Sequence, residues 1–270
     1  MTLEDAAKLA IAGDKDALNR LVASLQSDLY GLALRMLCNQ EDAEDATQEI
    51  LIRIVTRLSQ FDFRSKLKTW AYRVAVNYIL DVKKSAVERL HMTFEQLAED
   101  ITSGLGEATL PEAEQSLLIE EVKIGCSFGM LQCLDRDHRL AYILGEVMEM
   151  QGPEAAGILN VSPELFRKRL QLARKEMLRF MKSYCGLASD EAPCRCNRQV
   201  SSGLQSGRIS GERCTYAAAP LSFAQIRATV RQVEEARWAL QVHRTNHPHE
   251  ASVDFAQRLV EMLETYRTSD

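Results

Sequence analysis

Apolar residues recur along most of the chain at three- and four-residue intervals, and no strong two-residue alternation interrupts them. This is the spacing of amphipathic helices rather than strands. Leu18, Leu21, Val22, Leu25, Leu29 and Leu32 form one such stripe, in a helix that Asp14 after Gly13 can cap and that runs through Cys38. A second helix is expected over Glu41–Leu58, burying Ala43, Ala46, Ile50, Ile54 and Leu58. A third, Leu67–Lys84, offers Leu67, Ala71, Val74 and Tyr78 as its inward stripe, with Trp70 and Tyr72 as packing residues. Gly104, Gly106 and Pro111 break the pattern, so residues 85–122 read as a connector whose centre is loop and whose helix resumes near Pro111. Further on, Phe166, Leu170, Ala173, Met177 and Phe180 repeat at helical spacing. After Cys185 the chain turns to Ser, Gly, Pro and Cys, and two more helices are expected near Leu221–Val242 and Glu250–Tyr266.

The fold class is therefore all-α, with small helical domains over 1–88 and 123–184, an acidic linker over 89–122 and a Cys-containing helical extension over 185–270. Scarce Gly and Pro agree with helix over β architecture. A net charge of −5 argues at first against a nucleic-acid partner. The charges are segregated, however. Lys and Arg crowd Arg64–Lys84 and Arg167–Arg179, whereas His91–Val122 has eight carboxylates and no Lys or Arg. The N-terminus, MTLEDAAKLA, carries acids where a secretion signal needs cations, so a cytoplasmic location is expected. There the seven cysteines should be thiols, with Cys38, Cys126 and Cys133 reading as small core hydrophobes.

The chemistry concentrates in Asn39–Lys84. Glu41, Asp42, Glu44 and Asp45 open a helix where carboxylates complement its dipole. Asp42, Asp45, Gln48, Glu49 and Arg53 are left on its outer face. The elbow FDFRSKLK follows; an aromatic, a guanidinium, a hydroxyl and ammonium groups can hold a phosphate and cover an unstacked base. Arg73, Asn77 and Lys84 then share a polar helix face, with Arg73 and Asn77 one turn apart as phosphate and base-edge contacts require. In order and spacing, "DAEDATQEI" followed by Thr69–Asn77 (TWAYRVAVN) resembles the promoter-melting region of bacterial RNA polymerase sigma factors, specifically the extracytoplasmic-function (ECF) group. The resemblance implies that Asp42, Asp45, Gln48 and Glu49 contact the polymerase β′ subunit. It also implies that Phe63, Arg64, Ser65, Lys66, Arg73 and Asn77 contact the −10 element. Many members carry a glycine after the Arg of this elbow; here Ser65 follows Arg64 directly, which implies a stiffer elbow.

Residues 131–181 hold a short helix (Glu154–Leu159), a turn in which Asn160 can take the left-handed conformation, and a cationic helix that Ser162 and Pro163 cap. That is a helix-turn-helix order. It resembles the −35-reading domain of the same family, which implies base-side contacts from Ser162, Glu164, Leu165, Arg167, Lys168 and Gln171. Arg169 and Arg174 then lie nearer phosphates. Core RNA polymerase (its β′ and β subunits), promoter DNA and an anti-sigma factor are the partners so implied, with no membrane insertion and no required cofactor. The rival is a stand-alone helix-turn-helix regulator, thiol- or metal-responsive. In the extension, Cys185, Cys194, Cys196 and Cys214 could hold zinc, with His243, His247 and His249 as spare ligands; a redox thiol pair and inert thiols stay open. No phosphate-binding, zinc-protease or serine-hydrolase motif is present, so an enzyme is not expected.

Overall fold

The computed structural model describes residues 2–82, 92–103 and 112–210, and the chain divides into two compact units. Among the described residues the first comprises 2–82 and 152–163, and the second 92–103, 112–151 and 164–210. Among the described residues all extended elements are helical, apart from an isolated bridge between Cys185 and Cys194. The two C-terminal helices expected beyond Leu221, and Lys84, lie outside the described residues.

In the first unit, α1 (Leu3–Ile11), α2 (Lys15–Leu37), α3 (Gln40–Thr56) and α4 (Leu67–Asp81) pack on one another, and α8 (Gly152–Ile158) lies against α4. Asp14 caps α2 by accepting from the Ala17 amide at 2.9 Å, as expected, and Cys38 ends it in the left-handed region at φ 52°. Asn39 caps α3 through the Asp42 amide. The expected α3 stripe from Ala43 to Leu58 is buried throughout.

Helix α4 departs from expectation. Its buried face is Leu67, Ala71, Tyr72, Ala75, Val76 and Ile79, while Val74 and Tyr78 are only half-covered. The reason is packing: α4 meets α1, α2, α3 and α8, so more of its circumference is covered than one stripe provides. Lys66 supplies no cap to α4; the Glu4 carboxylate of α1 accepts from the Leu67 amide instead, at 3.0 Å. Helix α1 was not foreseen, and it closes itself with a Thr2–Asp5 capping box.

In the second unit, α5 (Phe94–Ser103) is a helix inside the expected connector, and α6 (Glu112–Gln132) absorbs the connector's end. The expected loop centre, 104–111, lies outside the described residues. Helix α7 (Arg136–Tyr142) continues into a π turn, Ile143–Val147, and α9 (Pro163–Tyr184) packs beside it. A Cβ on Gly145 would sit 2.7 Å from Leu170 Cδ2, so any larger residue there requires the Leu170 side chain to shift. Phe166, Leu170, Ala173, Met177 and Phe180 are all buried, as the spacing required. No helix among the described residues is long and apolar enough to cross a membrane.

Candidate nucleic-acid and partner surfaces

On α3, Asp42 and Asp45 are exposed and Gln48 and Glu49 half-exposed, all on the side opposite the buried stripe. Glu49 accepts from Arg53 Nε at 2.8 Å one turn on, and Arg53 lies over the Tyr78 ring, 4.6 Å from its centroid. This partly neutralised C-terminal end leaves the negative field strongest at Asp42 and Asp45.

The elbow between α3 and α4 is held by its aromatics. Phe61 is buried, with its ring 5.5 Å from Trp70 and 4.6 Å from Phe63. Phe63 itself is 39% exposed and sits at φ 58°, the left-handed region that bulky side chains avoid. Phe63 is thus a strained aromatic presented to solvent, and the strain lies two residues before Ser65, where the family glycine is missing. Lys8 Nζ stands 5.5 Å over its ring, bringing a cation from α1 that sequence reasoning missed. Asp62 accepts from both the Arg64 amide and Arg64 Nε, the latter at 2.5 Å, and these bonds hold its carboxyl below the usual range. The Arg64 side chain stays 87% exposed. Ser65 is half-exposed and Lys66 exposed, and Lys68 pairs with Asp28 of α2 at 2.5 Å. Arg73 and Asn77 are exposed one turn apart on α4, as expected; Tyr72 is fully buried and Trp70 packs on Phe61.

On α9 the expected contact residues Glu164, Leu165, Arg167, Lys168 and Gln171 are exposed, as is Ser162 just before it. Arg169 and Arg174 differ. Arg169 donates to Asp137 of α7 at 2.5 Å, and Arg174 pairs with Glu146, a carboxylate that is 1% exposed in the π turn. Both guanidinium groups thus fasten α9 to its own unit. Asn160 takes φ 53°, and the Val161 amide donates to Ala156 O at 3.0 Å across the turn, as a left-handed helix end requires. Thr69 of α4 donates to Glu154 of α8 at 2.5 Å, a contact with no sequence signal.

Comparisons with known proteins find similarity over part of the chain. The Sigma-70 region 2 model matches residues 21–88. The "ECF RNA polymerase sigma factor SigW" of Bacillus subtilis is 28% identical over 189 residues, covering 66% of this chain and 95% of that protein. The "ECF RNA polymerase sigma-E factor" of Escherichia coli is 29% identical over 171 residues, covering 60% and 85%. Among solved structures, that of CnrH in complex with the cytosolic domain of CnrY aligns with a TM-score of 0.46 at 22% identity, covering 63% of this chain and 91% of that one.

Proposed function

We infer that this chain, which belongs to the extracytoplasmic-function RNA polymerase sigma factors, acts by binding alone: it joins core RNA polymerase, recognises promoter DNA and starts transcription. The observation that carries this reading is the adjacency, within residues 21–88, of an exposed acidic helix face and an exposed cationic, aromatic elbow. Asp42, Asp45, Gln48 and Glu49 grip the β′ subunit. Phe63 covers an unpaired −10 base while Arg64, Ser65 and Lys66 hold the adjoining phosphates, and Arg73 and Asn77 continue the contact. Strand opening follows from keeping bases out of the stack, so no nucleotide is hydrolysed by this subunit. Ser162, Glu164, Leu165, Arg167, Lys168 and Gln171 read the −35 element; Arg167, paired with Glu164 on its own helix, and Lys168 stay exposed, whereas Arg169 and Arg174 are tied to Asp137 and Glu146. An anti-sigma partner and a cytoplasmic site of action are further expectations of this family membership.

Size-exclusion chromatography of the purified chain with core polymerase tests the reading. Co-elution at modest salt is expected, and the pair Asp45→Lys and Glu49→Lys should abolish it while leaving the circular dichroism spectrum unchanged. Co-elution that survives both reversals would remove the assigned face, and none with the native chain would remove the function.

A further inference from the structure

The cations around the elbow are not equally available to a phosphate. Arg64 is paired with Asp62, and Lys68 with Asp28 of α2, so each already has a countercharge beside it. Two others remain, Lys66 and Lys8. Both are exposed, and among the described residues neither makes an ion pair. Lys66 belongs to the elbow itself, whereas Lys8 arrives from a helix that precedes residues 21–88 altogether.

Lys8 is held at the elbow because α1 is fixed there. Ala6 and Ala7 are buried, and α1 packs on α2 while touching both α4 and the single turn Leu58–Gln60 that leads into the elbow. The acids of α1 are occupied elsewhere. The Glu4 carboxylate accepts from the Leu67 amide at 3.0 Å, tying α1 to the first residue of α4. The Asp5 carboxylate accepts from the Thr2 amide at 3.1 Å in the capping box. Lys8, in the last turn of α1, suits the helix dipole there, but its ammonium is directed over the Phe63 ring at 5.5 Å from the centroid.

That placement limits how a base can reach Phe63. Phe61 lies 4.6 Å from the ring, centroid to centroid, at 52°, and Lys8 stands over one face. A stacking base therefore takes the face that Lys8 leaves open. An ammonium over a solvent-exposed phenyl ring is weakly held, whereas a phosphate oxygen offers it a full charge and a charge-assisted hydrogen bond. Stacking the base brings the phosphates of its strand to the rim of the ring, within the swing of the Lys8 side chain.

We propose that Lys8 is a further DNA-binding residue of this surface. It leaves one face of Phe63 to the unpaired base and neutralises a phosphate of the strand that carries that base. The proposal rests on the reading of the elbow given above and adds a contact that no residue within 21–88 supplies.

Holoenzyme reconstituted from the full-length chain and core polymerase tests it. The probe is a fluorescein-labelled single strand that the native holoenzyme enriches from a random pool, with core polymerase alone as background. Lys8→Gln is expected to weaken binding several-fold across a salt series. It should also make the slope of log affinity against log salt shallower by about 0.7, the share of one phosphate contact on a single strand. Lys8→Arg should keep both affinity and slope. In a Phe63→Leu background Lys8→Gln should still lower the slope, since the phosphate contact does not run through the ring. An unchanged slope in Lys8→Gln overturns the proposal, because a lysine that only supports α1 or the ring alters affinity without altering ion release. A loss in Lys8→Arg equal to that in Lys8→Gln, or a slope change that vanishes without the ring, does the same. Failure of the native chain to join core polymerase, or of its holoenzyme to enrich any strand, removes the underlying reading and the proposal with it.

Discussion

Phe63 combines an exposed ring with a backbone angle that a side chain of any size resists. Replacing it with glycine removes that resistance, and replacing it with alanine does not. Phe63→Gly is therefore expected to be about 1 kcal/mol more stable than Phe63→Ala by thermal unfolding. Both should lose binding to a DNA fork carrying an unpaired −10 base. The reverse stability order would show the elbow is relaxed in solution. A second residue-scale expectation concerns Glu146, buried in the π turn with Arg174 facing it. Arg174→Ala leaves that carboxylate without its cation and should cost about 2 kcal/mol in urea unfolding, less than a fully buried pair because Arg174 is half exposed. Glu146→Gln in the same background should recover part of the loss; no recovery would mean the ion pair is not the cause. Some of these residues could be read from sequence and others not. Asn160 is a residue type that tolerates the left-handed region, and it sits there. Cys38 and Phe63 carry no such signal, since their positive angles are imposed by the surrounding packing.

Among elements, long helices with a regular apolar period were legible: α2, α3 and α9 run within a few residues of where their stripes and caps put them. Helix α4 was legible as a helix but not in its facing, because four neighbours decide which side is buried. Helices α1 and α5 are short, nine and ten residues, and rich in carboxylates, so composition resembles linker while tertiary contacts make helix. Helix α1 nevertheless has a definable role, since Glu4 provides the cap that Lys66 does not. Glu4→Ala should lower stability by about 1 kcal/mol and speed amide exchange at Leu67 and the adjoining turn. Unchanged exchange there would show that water caps α4 equally well.

At the level of the whole chain, charge segregation pointed to a nucleic-acid surface that the net charge of −5 concealed. What no periodicity could supply is the joining of distant segments: the Cys196–Gln199 turn to α6, and Gln199 to the carbonyl of Ile101. Cutting the chain after Tyr184 bares Val122 and that carbonyl, so the second unit should melt several degrees earlier by circular dichroism. Trp70, the one tryptophan left once Trp238 is removed, reports the first unit separately. A single unshifted melt would show that the extension adds nothing to its host. The hold on α5 also has a metric consequence. Ten residues occupy about 15 Å as a helix and about 33 Å as extended chain. The roughly 18 Å in reserve corresponds to about five base-pair steps. Letting Gln199 and Arg208 go of Ile101 and Asp100 frees α5 to pay out that slack.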